Sequence, residues 1–352
     1  MSHKVNTEIL KQLCETPGVS GYEDPIRNLI MDLLQPYVDR IIVDSLGNVV
    51  AYKKRRPNKK RIKIMIAAHM DEIGFVVKYI DKEGFLRLEP VGGIDARTVI
   101  GQKVIVYGKK PIVGVLPPRP IWLTTEEERK KVPEVKEMFV DLGLPCAEVV
   151  QIVRIGDPVV LAQGFAALNE NVVVGRNFDD RIGIYVMWAT LASLKSCGAD
   201  IYAVATVQEE LGVRGAGVAA FNIEPNIGIA IDGSLAADVP GVKEEERGCS
   251  LGKGVGIYLI DRLTVSDKRL VGFLMQLAEK NGIPYQLNIG GGTDASAIQR
   301  SKGGTIVCTI GPPIRYMHSG VQLCHLGDIE AAVDLLCLFL ESAHTISWLK
   351  LR

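Results

Sequence analysis

Ile201-Tyr202-Ala203-Val204-Ala205-Thr206-Val207-Gln208-Glu209-Glu210-Leu211-Gly212 is the stretch on which the fold turns. Residues 201–207 form an apolar, β-rich run of buried-strand type that stops at two adjacent carboxylates and a glycine. Neighbouring side chains of an extended chain point to opposite faces, so Glu209 and Glu210 serve one site only where the backbone turns out of the strand. Leu211-Gly212-Val213-Arg214-Gly215-Ala216 supplies that turn. Burying two carboxylates at a sheet edge is costly without a positive partner, and a metal ion is the simplest one. Taken alone, a Glu-Glu pair fits a solvated helix start equally well, and the other strand ends decide between the readings.

Those ends repeat the theme. Residues 62–68 are apolar apart from Lys63 and lead into His69-Met70-Asp71-Glu72, where Asp71 stands two positions on, suited to accept the second ring N–H of His69. Val172-Val173-Val174-Gly175 leads to Asp179-Asp180-Arg181 and a helical stretch, 182–194. Residues 227–231 run into Asp232-Gly233, and 305–310 form a further strand, followed by Tyr316-Met317-His318. Helical patterns at 266–281, with Ser266 as N-cap, and at 327–346 alternate with these strands. The expected fold is therefore α/β, a mostly parallel central sheet flanked by helices. Sites in such sheets form at the carboxyl ends of strands, which is where His69, Asp179 or Asp180, Glu209, Glu210, Asp232 and His318 all stand.

Outward from these strands the texture changes. Residues 7–14 and 24–34 read as helices around the breaker-rich Pro17-Gly18-Val19-Ser20-Gly21, and 41–52 as a hairpin. The basic run 53–61 reads as a solvated hairpin tip. From about residue 75 to 160, short strands and turns predict a small inserted β-barrel, with 122–132 as a capped, charged exposed segment. The expected division is 1–72 and 164–352 for a catalytic domain and 73–163 for the insert.

Composition narrows the partners. With 47% hydrophobic and 23% charged residues, and Lys+Arg and Asp+Glu both 41, the chain is ordinary globular protein with no leaning toward nucleic acid or membrane surfaces. Seven scattered cysteines without a C-x-x-C fit buried thiols of a reducing compartment, and no apolar h-region or membrane-length run is seen, so a cytoplasmic location is expected.

The donor count balances for two cations. Carboxylates Asp179, Glu210 and Asp232 with neutral His69 and His318 leave one positive charge against two divalent ions, which a hydroxide cancels. Mixed N/O ligation suits Zn²⁺, with Co²⁺ or Mn²⁺ as alternatives. Glu209 is left over to take the proton of an activated water.

His69-Met70-Asp71, Asp179-Asp180-Arg181, Gln208-Glu209-Glu210-Leu211-Gly212, Asp232-Gly233 and Met317-His318-Ser319 together resemble the motif set of the tetrahedral (TET) or glutamyl-aminopeptidase family of dinuclear metallo-aminopeptidases. The resemblance extends over essentially the whole chain and includes the insert between His69 and Asp179. It implies that His69 and Asp232 hold one metal, Glu210 and His318 the other, that Asp179 bridges, that Asp71 braces His69 and that Glu209 is the general base. It also implies a cis peptide before Asp180, a substrate-side loop at Gly292, Thr293 and Asp294, and a homodimer that assembles into a hollow dodecamer acting on short peptides. Alternatives carried beside it are a glycosidase using Glu209 and Glu210, a metal-stabilised scaffold, and a deacylase or carboxypeptidase. Arg181, Arg214 and Arg315 are nominees for an acidic-substrate pocket, His325 reads as structural, and His3 and His344 as bystanders.

Overall fold

A strand covered by helices on both faces needs apolar side chains on both, and the central strands have them. In Lys63–His69, Ile64, Ile66 and Ala68 enter one hydrophobic cluster while Met65 and Ala67 enter another on the opposite face. This double burial is why the run reads as continuous and not alternating. The computed structural model describes residues 3–54 and 62–349, so most of the basic run 53–61 lies outside the described residues.

Among the described residues, an eight-stranded sheet runs in the order Arg40–Val43, Val49–Lys53, Asp200–Thr206, Lys63–His69, Ile227–Ile231, Ile306–Gly311, Val255–Ile260, Tyr285–Ile289. Its four central strands are parallel to one another; the hairpin on one side and the last pair on the other meet them antiparallel. The sheet is thus mixed, with its parallel part in the middle. Helices Thr7–Glu15, Asp24–Leu34, Phe178–Ser193, Lys268–Asn281 and Leu326–Ser342 cover one face, and Arg214–Ile223 and Ala295–Gln299 the other.

A second sheet of five antiparallel strands, ordered Leu86–Val91, Gly74–Ile80, Pro158–Leu161, Lys103–Tyr107, Pro111–Val115, surrounds its own cluster of Phe75, Val77, Leu88, Val104, Val106 and Val159. Its two outer strands reach the same short stretch, Leu86 bridging to Val140 and Val115 to Asp141. The segment expected as capped and charged contains the short helix Glu126–Arg129 with a Thr125–Glu128 capping box.

A third sheet was not foreseen. It orders Ser234–Leu235, Pro313–Arg315, Gln322–His325, Val172–Gly175 and Ala166–Ala167, and so places the approach to Asp179 beside the loop of His318. One helix start also moves. Asp267, not Ser266, caps Lys268–Asn281, accepting from the Arg269 and Leu270 amides, a better match for the positive helix end than a hydroxyl. The helix expected from 182 is the regular part of Phe178–Ser193, which follows non-helical backbone at Asp179 and Asp180 and the cis peptide between them.

Candidate metal centre

The ladder registers bring the strand ends level. Thr206 is paired with His69 in the parallel ladder, so the chain leaving Thr206 toward Glu209 and Glu210 emerges beside His69. Ile231 is paired with Ile310, and the Asp232 amide extends that ladder by donating to Ile310 O at 3.0 Å.

Asp179 sits between the two histidines. Its Oδ1 lies 3.1 Å from His69 Nε2 and its Oδ2 lies 3.2 Å from His318 Nε2. His318 Nε2 is also 3.4 Å from Glu210 Oε1. Donor atoms of His69, Asp179 and Asp232 fall within 4.8 Å of one another, as do those of Asp179, Glu210 and His318. The two groups share Asp179 and nothing else, which is the arrangement two neighbouring cations need.

The histidine tautomers test that fit. His69 Nδ1 faces the Asp71 carbonyl at 3.1 Å and His318 Nδ1 faces the Gly93 carbonyl at 2.9 Å. A carbonyl only accepts, so each Nδ1 carries the hydrogen. Each Nε2 then turns a lone pair toward carboxylate oxygens, a repulsive contact unless a proton or a cation lies between. The side chains fit metal ions at both positions.

The electrostatics tell the same story. Burial pulls the His69 pKa down, but the Asp179 and Asp71 carboxylates outweigh it and hold it well above its ordinary value; for His318 the balance settles at about 9. Burial would raise Asp179, yet His318 and His69 hold it below the usual carboxylate range. Glu210 is pushed up to about 7 by burial and the Asp179 charge, and burial drives Glu209 and Asp232 well up. This is a crowd of carboxylates short of positive charge.

Asp71 stands against His69, as its spacing suggested, and takes a second part as well. His69 Nδ1 is nearer to its carbonyl than to its carboxylate, which is 3.5 Å away. The carboxylate also accepts from the Glu209 and Glu210 amides at 3.0 and 3.1 Å and from Ser20 Oγ at 2.6 Å. Gln322, which carried no signal in the sequence, accepts the Asp179 amide at 2.9 Å.

Thr293 and Asp294 are buried. Thr293 Oγ1 lies 2.8 Å from Thr309 Oγ1, and Asp294 Oδ2 lies 2.5 Å from Oγ1 of Thr206, the last residue of its strand and three before Glu209. Gly292 faces Leu263. Of the arginine nominees, Arg181 is fully buried, donates to the Leu13 and Thr16 carbonyls and lies 3.6 Å from Glu72, so it is a structural group. Arg315 pairs with Asp238, and the exposed Arg214 reaches Gln208 Oε1 at 3.4 Å. His325 caps the last long helix by accepting from the Gly327 amide, as its position suggested. His3 meets Asp334 and His344 meets the Glu341 carbonyl.

Comparison with known proteins supplies the family. The model of the M42 glutamyl aminopeptidase family matches residues 47–335. The chain is 37% identical to a lysyl aminopeptidase of Pyrococcus furiosus over 96% of its own length and 97% of that protein's. Among solved structures it resembles aminopeptidase APDkam598 from the archaeon Desulfurococcus kamchatkensis at a TM-score of 0.93 and 39% identity, covering 98% of this chain and 97% of that one. A Pyrococcus horikoshii TET1 peptidase described as assembling into a tetrahedron or a large octahedral shell matches with a TM-score of 0.84 and 34% identity over 95% and 98%. On these grounds the chain belongs to the M42 glutamyl aminopeptidase family of peptide hydrolases.

Proposed function

We propose that the chain removes N-terminal residues from short peptides at a pair of divalent cations held by its own side chains. The observation that carries this is Asp179, whose two oxygens each face the Nε2 of a different histidine. In this reading His69 and Asp232 would hold one cation and Glu210 and His318 the other, with Asp179 shared between them. Bound there, the ions supply Lewis-acid activation of a water and of the scissile carbonyl. Zn²⁺ suits the N/O donors best, with Co²⁺ or Mn²⁺ as alternatives.

The side chains do the rest. The carbonyls of Asp71 and Gly93 fix the two imidazoles with Nε2 inward. Glu209, whose carboxylate hydrogen-bonds no other described residue, takes a proton from the water as the new C–O bond forms. It returns that proton to the amine nitrogen as the C–N bond breaks. Gly292, Thr293 and Asp294 form the substrate-side loop in this reading, supported by the bond from Thr206 Oγ1 to Asp294, which ties the loop to the strand that leads to Glu209. A glycosidase needs two carboxyls flanking the scissile bond about 5–5.5 Å apart, whereas Glu210 is drawn into the cluster of Asp179 and His318. A scaffold role leaves Glu209 unexplained, and family membership favours an aminopeptidase over a deacylase or carboxypeptidase.

We further read residues 73–163 as an inserted, closed barrel between catalytic segments 1–72 and 164–352, supported by the bridges from both outer strands to Val140 and Asp141. That unit serves dimer formation, and the dimers build a dodecamer, a reading supported by likeness to a PhTET1 structure described as a dodecamer and to the Pyrococcus horikoshii peptidase described as a tetrahedron or octahedral shell. The cytoplasmic location is read from the scattered cysteines alone. Light scattering that gives 38.4 kDa refutes the assembly. For the chemistry, Glu209→Gln should retain two metal equivalents per chain by elemental analysis while turnover of amino-acid anilides falls about 10²- to 10⁴-fold. Full turnover by that variant, or by chelated wild type, sinks the mechanism.

A further inference from the structure

Beyond the end of the ladder at Thr206, four consecutive backbone amides are each taken by a side chain from elsewhere in the sequence. Val207 donates to Asn48 Oδ1 at 3.0 Å, Gln208 to Glu23 Oε1 at 3.3 Å, Glu209 to Asp71 Oδ1 at 3.0 Å and Glu210 to Asp71 Oδ2 at 3.1 Å. All three acceptor residues are buried, with Asn48 and Asp71 at 0% and Glu23 at 3% exposure. Each is itself braced. Asn48 Nδ2 donates to Gly215 O and Asp44 Oδ2, Ser20 Oγ donates to Asp71, and Glu23 Oε1 also accepts from the Gly21 amide at 2.8 Å.

The clamp encloses one residue in an unfavourable conformation. Gln208 has φ +55°, in the left-handed region that a side chain resists, and it stands directly before the two glutamates. A left-handed residue at this point breaks the two-residue alternation of the strand, and that break is what lets Glu209 and Glu210 serve one centre. Asp71 holds the residues after the break and Asn48 the one before it. Glu23 holds Gln208 itself.

We propose that Glu23 is a positioning residue: as a hydrogen-bond acceptor, and not as a charge, it keeps Gln208 left-handed and so sets where the Glu209 carboxylate stands. Its link to turnover rests on the proposed role of Glu209; its link to the backbone does not. Glutamine keeps the acceptor oxygen and removes the charge, whereas alanine removes both.

Two readouts on the metal-loaded full chain separate these possibilities. In hydrogen–deuterium exchange, peptides spanning residues 204–212 should lose protection in Glu23→Ala and keep it in Glu23→Gln. With an amino-acid anilide as probe, kcat of Glu23→Ala should fall about 10- to 100-fold, the usual cost of losing a group that orients a metal site, with KM changed by less than about threefold. Glu23→Gln should recover kcat to within about threefold of wild type. Where the alanine variant does not fold by its melting curve, Glu23→Met, similar in length and lacking an oxygen acceptor, replaces it. Unchanged protection and kcat in Glu23→Ala overturn the proposal. Equal impairment of both variants with raised KM also overturns it and assigns the charge to the substrate ammonium. Wild type that hydrolyses no anilide defeats the aminopeptidase mechanism, while the exchange result still decides whether Glu23 holds Gln208.

Discussion

Replacing Glu72 with glutamine strips a negative charge from between two buried arginines. Glu72 is 1% exposed; it accepts from the Gly18 amide at 2.8 Å, pairs with Arg176 and lies 3.6 Å from Arg181. Arg176 and Arg181 are 4% and 0% exposed and otherwise donate to the carbonyls of Glu15, Leu13 and Thr16. Carbonyl dipoles solvate a guanidinium but do not neutralise it, so the variant leaves two buried positive charges facing each other. Removing one partner of a buried pair costs about 3–5 kcal/mol. An unfolding entropy of about 2.1 cal/mol/K per residue gives roughly 0.7 kcal/mol/K over 352 residues, and hence a drop in Tm of about 4–7 °C. The assay is a thermal melt at two scan rates, so that a kinetic shift is told apart from an equilibrium one. The companion Glu72→Met/Arg176→Met should regain part of the loss, because it leaves one buried guanidinium, Arg181, without its carboxylate in place of two. A drop in Tm of under about 1.5 °C for Glu72→Gln, equivalent to about 1 kcal/mol, would show that the carbonyls suffice and refute the reasoning.

Gln322→Leu removes the acceptor of the Asp179 amide and leaves a buried N–H unpaired, a cost of about 1–3 kcal/mol. Chelator competition should then show metal held about tenfold or more weakly, and unchanged affinity would mean that Asp179 is placed without it. At Asp238, burial raises the pKa but the Arg315 guanidinium outweighs it and holds the carboxyl below its ordinary 3.8. A folded pKa below the unfolded one adds stability above pH 3.8 that is lost as pH falls through the folded value. Asp238→Asn should therefore be less stable at neutral pH by about 1 kcal/mol and show a shallower acid-side loss in urea melts; parallel pH profiles would contradict this.

The central strands were legible because burial on both faces writes them as uninterrupted apolar runs, as in Ile64 to Ala68 and Ile227–Ile231. The ligand candidates were legible for a related reason: a charged residue directly after such a run has few structural explanations. The third sheet was not, since strands of two and three residues such as Ser234–Leu235 and Pro313–Arg315 are too short to show a period. Val255–Ile260 and Tyr285–Ile289 escaped as well; the first is interrupted by Gly256 and the second is an edge strand with Leu287 and Ile289 exposed. Helix Arg214–Ile223 escaped because its first residues, Arg214-Gly215-Ala216, read as part of the turn after Gly212; the helix carries two glycines, poor helix formers. Asn48, Glu23 and Gln322 act through hydrogen bonds to distant backbone, and no local pattern records such a partner.

The carbonyl of Gly93 belongs to the chain just past Leu86–Val91, an outer strand of the second sheet, yet it steers an imidazole of the metal cluster. The second sheet thus meets, at one carbonyl, the loop between Pro313–Arg315 and Gln322–His325 of the third. On the proposed reading, a neighbour leaning on the smaller sheet would reach His318 through Gly93 O, 2.9 Å from its Nδ1, with no long relay in between. Contacts between copies of the chain and turnover rate would then be mechanically linked, and a substitution that merely slackens Gly92-Gly93 would uncouple them.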